Sequence, residues 1–305
     1  MNRRLLPTLL LLGACAPRFT DVLPDDRLLM NLPAPTSAAK ETPAEKDWSE
    51  YYLLTAEVTE TINGMVGYVL GTTKLITLLQ RPDTYDSAEE YAEWGPYSQA
   101  LDPVETLLWV DHDPDTDIWT WGYHQWPKED PTSVYDVVVG EVDAGATRET
   151  STGRFTIDFT TANLLDPTVN VDGGTFSVDY QLDPEGVAGT VILTDIGGAA
   201  LDGDYSYSQV TGGEGQMDLR LEDDVNPGSG AGLLEDWTMR SRWTAEGVGR
   251  GDARMTGGDL GSTEATGTEC WDNAFEAAYR KQSLSGLEEG DVGACAYADA
   301  SYVGD

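Results

Sequence analysis

The chain is poor in imidazole, thiol and positive charge. Its 305 residues include two histidines, three cysteines and 18 lysines and arginines against 54 acids. Nucleophilic hydrolysis needs a base beside a Ser or Cys, and only His112 and His124 are there to serve. No Gly-x-Ser-x-Gly elbow is present. No third or fourth Cys or His lies near Cys270 and Cys295, which leaves too few ligands for a thiolate zinc site. The net charge of -36 repels nucleic acid and anionic headgroups, so neither is expected as a partner. It suits a cationic envelope partner, or simply keeps the protein soluble. A long uncharged run is also missing. Glu57, Glu60 and Lys74 leave 13 uncharged residues between them, fewer than the roughly 20 of a membrane span.

At the start of the chain stand Met1-Asn-Arg-Arg, an apolar run over 5–12, and Leu12-Gly13-Ala14-Cys15. A positive stretch, a short apolar stretch and small residues before a cut form a secretory signal. With Cys at the cut, the segment resembles the lipobox of the bacterial lipoprotein family. The resemblance implies that residues 1–14 are a signal peptide and that Cys15 receives lipid. It also implies a membrane partner through that anchor and, with Ala16 rather than Asp behind it, an outer-membrane address. Two or three acyl chains give a lasting anchor, at about 0.8 kcal/mol per buried methylene. Loss of Arg3 and Arg4 with the signal makes the mature charge -38.

With Cys15 committed to lipid, Cys270 and Cys295 are an even pair in an oxidising compartment and are expected to form a disulfide. In the loop-entropy treatment such a bridge contributes on the order of 3 kcal/mol.

Residues 15–46 hold Pro24, Pro33, Pro35 and Pro43 with little periodicity, and read as a flexible tether holding the body some tens of ångströms from the membrane. Apolar residues Leu54, Val58, Ile62, Met65, Val69, Ile76 and Leu79 then recur at threes and fours, which predicts a long helix. Gly64, Gly67 and Gly71 each cost about 1 kcal/mol there, and close packing on a sheet would offset them. After Leu101 the period becomes two: Phe155, Ile157, Phe159; Phe176, Val178, Tyr180; Met217, Leu219, Leu221. Turn clusters such as Asp113-Pro-Asp, Asp183-Pro-Glu-Gly and Asn226-Pro-Gly separate the runs. The expected fold of residues 47–267 is α+β, mostly β. It is a large antiparallel β-meander of about ten strands, a curved sheet or open barrel, packed around one long N-terminal helix. That architecture is similar to the half-barrels of periplasmic lipoprotein carriers. Residues 268–305 form a disulfide-bearing tail, with Trp271, Phe275 and Tyr279 on one face of a short helix that docks it onto the sheet.

The segments Val58-Thr-Glu-Thr-Ile-Asn-Gly-Met-Val-Gly-Tyr-Val-Leu, Trp94-Gly-Pro, Ser241-Arg-Trp-Thr-Ala-Glu-Gly-Val-Gly-Arg-Gly-Asp-Ala-Arg-Met-Thr-Gly-Gly-Asp-Leu and Glu269-Cys-Trp-Asp-Asn-Ala-Phe resemble a set of uncharacterised secreted lipoproteins of myxobacteria and their relatives. That resemblance implies the fold and the cellular address rather than a chemistry.

Asp111, Asp113, Asp115 and Asp117 place carboxylates on every second residue, as a calcium loop would. Thr116 and Gly122 replace the Gly and Glu of an EF-type loop, so the stretch reads first as a hairpin tip joining 106–110 to 118–123. Glu222, Asp223 and Asp224 would complete a calcium site only through folding. Trp119-Thr-Trp-Gly-Tyr-His-Gln-Trp126 offers an aromatic run for sugars, or a strand with one face in the core. Gly247-Val-Gly-Arg-Gly251 has the glycines of a phosphate loop without its Lys-Ser/Thr pair, and reads as a bend. No resident cofactor is expected apart from calcium at the Asp111 loop.

These features point first to a non-enzymatic binding or scaffolding module of the cell envelope, with an apolar ligand as an extension. An envelope glycan hydrolase using paired carboxylates and a calcium-dependent adhesion module are the rivals. For the anchor, Cys15→Ser is expected to abolish metabolic labelling by a fatty-acid analogue, and labelling that persists would sink the lipobox assignment.

Overall fold

The computed structural model describes residues 19–33, 48–79, 82, 84–86, 90–147, 149–168, 173–197, 201–224 and 232–304, with 84–86 and 201 described by backbone alone. The signal at 1–14, the anchor Cys15 and the 226–228 turn lie outside the described residues.

A helix, α1 (Glu50–Leu79), is followed by an unbroken meander. Its strands are β1 (Thr84–Asp86), β2 (Tyr91–Tyr97), β3 (Val104–Asp113), β4 (Ile118–Pro127), β5 (Tyr135–Val142) and β6 (Ser151–Asp158), then a short helix α2 (Phe159–Leu165). Next come β7 (Thr175–Asp183), β8 (Gly186–Ile196), β9 (Leu201–Val210), β10 (Gly215–Asp223) and β11 (Glu235–Trp243). The last four are β12 (Gly249–Gly257), β13 (Gly261–Trp271), β14 (Ala277–Gln282) and β15 (Glu288–Gly290). All fifteen form one sheet in sequence order, and short connections make every pair antiparallel. The mostly β, α+β meander expected from the period-two runs is what forms. The Asp113–Asp117 stretch is the tip of the β3–β4 hairpin, and residues 244–248 are the bend between β11 and β12.

The helix lies across one face of the sheet, in contact with β2 near one edge and with β12 and β13 near the other. Its buried stripe is Tyr52, Thr55, Thr59, Ile62, Val66, Val69, Leu70, Thr73 and Ile76. By length and composition α1 is apolar enough to cross a membrane, yet here its first turn and its interior are tied to the sheet. Ser49 Oγ accepts the Tyr52 N–H at 3.0 Å, and buried Glu269 on β13 accepts the N–H groups of Glu50 and Tyr51 at 3.3 and 3.0 Å. A carboxylate at a helix N-terminus satisfies orphan donors and matches the dipole. Arg280 Nε donates to the same carboxylate at 2.9 Å. Within the helix, ten residues before its end, Tyr123 donates to the Val69 carbonyl at 2.7 Å.

Two expectations are corrected. Residues 19–33, read as part of a flexible tether, form a strap on the inner face, with Val22, Leu23, Leu28 and Met30 buried. Phe19 meets Trp119 edge-on at 5.6 Å, and Asn63 of α1 clamps Met30 by accepting its N–H at 3.1 Å and donating to its carbonyl at 2.8 Å. Tyr207 donates to the Leu28 carbonyl at 2.6 Å. Four buried apolar side chains outweigh the proline content, because the partners are distant in sequence and invisible to periodicity. Likewise Trp271, Phe275 and Tyr279 are not on a helix. Trp271 ends β13, Phe275 sits in a turn at φ 65°, and Tyr279 is in β14. Asp272 shapes that turn by accepting the N–H groups of Ala274 and Glu276.

On the inner face, large rings lie over glycines of the neighbouring strand. Trp121 covers Gly140, Tyr180 Gly153, Tyr207 Gly189, Trp243 Gly215 and Trp271 Gly249, each a directly opposed pair. A Cβ at any of these glycines would stand closer than 3.0 Å to the ring. The helix glycines behave differently. Gly64, Gly67 and Gly71 have nothing within 4 Å of where a Cβ would be, so the close packing expected to offset their cost is absent. Opposite outcomes follow from this contrast. Gly140→Ala should lower stability by about 1–3 kcal/mol through overpacking, whereas Gly64→Ala should raise it by about 0.5–1 kcal/mol. Urea denaturation of both variants checks the signs.

Candidate functional site

The alternation of the strands gives the sheet two faces with different fates. Inward side chains meet α1 and the strap and form one cluster that includes Trp121, Tyr123, Phe155, Phe176, Tyr205, Met217 and Trp243. The Trp119–Trp126 run belongs mainly here: Trp119, Trp121 and Tyr123 are buried in the core. His124 and Trp126 point the other way.

The outer face is divided. Over β10 to β13 it is charged and covered by the chain's last segment. Arg250 and Asp252 are buried beneath it, with Arg250 donating to the carbonyls of Tyr297 and Ala298 at 2.9 and 3.1 Å. Arg242 donates to Asp252 and to the Asp299 carbonyl, at 3.1 and 3.0 Å, and lies 4.7 Å from the centre of the Tyr297 ring. Arg240 pairs with Asp218 and reaches Ser301, while Arg254 lies under Tyr302. The expected Cys270–Cys295 disulfide is formed and pins this segment to β13.

Over β6 to β9 no other described segment covers the outer face. Register places Thr152, Gln181, Ala188, Ser208 and Gln216 in one cross-strand row, and Asp179, Thr190 and Ser206 in the next. These side chains line two adjoining open grooves of about 470 and 410 Å³. Tyr297 and Arg242 form the wall where the terminal segment begins. The floor offers hydroxyls, amides and a carboxylate, which suits hydrogen bonding to a polar ligand.

The other candidates do different things. Asp113 accepts the Asp115 N–H and the Thr116 hydroxyl, at 2.9 and 2.8 Å, and the Thr116 bond is the main reason its carboxyl titrates below the usual range. Asp117 contacts His112 at 2.9 Å, and His112 also pairs with Glu90 and stacks on Trp119. Among the described residues no group of three or more His, Cys, Asp or Glu is placed to hold a metal ion. The calcium reading of Asp111, Asp113, Asp115 and Asp117 thus lacks a converging ligand set; Asp113 is used by the hairpin turn itself. His124 Nδ1 lies 2.7 Å from Asp136. Neither histidine has a hydroxyl or thiol among its described partners.

Tyr123 and Tyr180 fall in runs that the sequence reading placed as strands, but it missed Tyr51, Tyr205 and Tyr207 in the same inner layer. Burial pushes the phenols of Tyr123, Tyr180, Tyr205 and Tyr207 well above their ordinary value. Burial, followed by the charge of Glu269, pushes Tyr51 up to about 12. Each phenol holds its proton more tightly folded than unfolded, so stability is intact below the ordinary value of 10.0 and falls as pH rises above it. Phenolate absorbance and loss of circular dichroism should therefore rise together in one alkaline step. Tyrosines titrating freely in a folded chain would contradict their burial.

Comparison with family models, with curated proteins and with solved structures gives no match to this chain.

Proposed function

We propose that the protein is an exported lipoprotein of the outer membrane, held through lipid on Cys15, and that it is a binding module working through the outer face of its sheet. One observation carries this reading. The inner face, where a carrier would keep cargo, is filled by α1 and the strap, while the outer face over β6 to β9 is left open. An apolar ligand inside the sheet is not part of the proposal, because Val66, Val69, Leu28 and Met30 occupy that space. The disulfide agrees with an oxidising compartment. The acidity of the chain favours a neutral or cationic partner over an anionic one.

The test uses a soluble form starting at Ala16, exported and applied to the host's own envelope polysaccharide and outer-membrane fractions. Retention is expected, together with a native mass free of any extracted lipid. Thr190→Arg with Ser208→Arg should cut retention about tenfold, equivalent to ~1.4 kcal/mol, without moving the melting temperature. A co-purified lipid, or retention indifferent to these substitutions, would refute the outer-face reading.

A further inference from the structure

We propose that the outer face of β2 to β5 is a glycan site for chains containing sugars with free amines, resting on the reading of this sheet face as the working surface. The observation is a sixth ring-on-glycine pair with the opposite orientation. Trp109 lies over Gly122 of β4, its ring atoms 3.0 and 3.2 Å from where a Cβ would stand, but on the outer side. Among the described residues no helix or strap covers it, and the residue is half-buried rather than enclosed. Gly122 leaves room for the indole over the strand backbone, and part of the residue remains exposed.

The ring belongs to a series. Register puts Tyr91 opposite Asp111, Trp109 opposite Glu93, His124 opposite Leu107 and Trp126 opposite Glu105. Four successive outward rows each carry one ring, at intervals of about 7 Å along the strands. His124 lies near-parallel to Trp109, with centroids 5.5 Å apart and planes 22° apart. Three of the rings also hold a carboxylate. Tyr91 donates to Glu93, Trp126 Nε1 donates to Glu105 at 2.8 Å, and His124 lies 2.7 Å from Asp136. Each such contact orients a carboxylate while leaving acceptor capacity for a ligand.

Charge complementarity selects the occupant. Strands β2 to β5 contain no Lys or Arg, so Glu93, Glu105, Asp111 and Asp136 face outward without a cation on these strands. A pyranose offers an apolar C–H face to Trp109, hydroxyls to the carboxylates and, where the amine is free, an ammonium attracted by both carboxylate and π-face. A row of rings spaced along a strand suits a linear chain of such sugars.

Glucosamine hexamer and its fully N-acetylated counterpart would be titrated onto the whole exported chain in detergent, reading tryptophan fluorescence and heat. The free-amine hexamer should bind at least tenfold more tightly than the acetylated one and weaken as salt rises. Trp109→Ala should abolish binding and Trp109→Phe should restore part of it. Glu93→Gln and Asp136→Asn, which leave the core untouched, should each weaken binding severalfold. Equal binding of the two hexamers, equal binding of hexalysine, or indifference to all four variants overturns the proposal. If neither hexamer binds while Thr190→Arg with Ser208→Arg still blocks envelope retention, this inference fails and the outer-face reading stands.

Discussion

A fifteen-stranded open sheet must cover one face, and the cover here depends on large rings seated on glycine. Each inward glycine removes a Cβ where a neighbouring strand delivers Trp or Tyr, so that the ring packs against backbone on one side and helix or strap on the other. The pairs recur from β4 to β13, which spreads the ring layer over most of the sheet. The helix and the strap pack on the face that the rings line.

Much of this was legible in the sequence. Alternation gave the strands their faces, the clusters at Asp113-Pro-Asp and Asp183-Pro-Glu-Gly gave two hairpin tips, and the three-and-four spacing gave α1. The disulfide followed from setting Cys15 aside for lipid, which leaves Cys270 and Cys295 as an even pair in an oxidising compartment. What escaped reading are contacts between distant residues. Residues 19–33 have no period because an extended strap is held one residue at a time, Met30 by Asn63 and Leu28 by Tyr207. Glu269 caps a helix 219 residues away, and no local capping pattern announces that. Outward Trp109 and inward Trp121 differ by an even number of positions across a hairpin, so only register assigns them to opposite faces.

Two of the segments singled out in the sequence turn out to be joints. In Glu269-Cys-Trp-Asp272, the first residue caps α1, the second holds the terminal segment, the third covers Gly249 and the fourth shapes a turn. Ser241 meets Thr55 of α1 in a buried hydroxyl pair at 2.6 Å. Residues that hold an architecture together can recur without a shared ligand. The surfaces open to a ligand lie elsewhere, on outward positions of β2 to β9.

The docking of Phe19 on Trp119 has a consequence for how the molecule would stand in an envelope. Four peptide steps separate Cys15 from Phe19, a reach of at most about 14 Å. A lipid on Cys15 would therefore hold the Trp119 end of the β3–β4 hairpin against the bilayer, in place of a body floating on a long leash. The body would have a fixed tilt and a short stand-off, and the hairpin's aspartates would be held near the headgroups. Orientation, rather than reach, would then decide what the protein can touch.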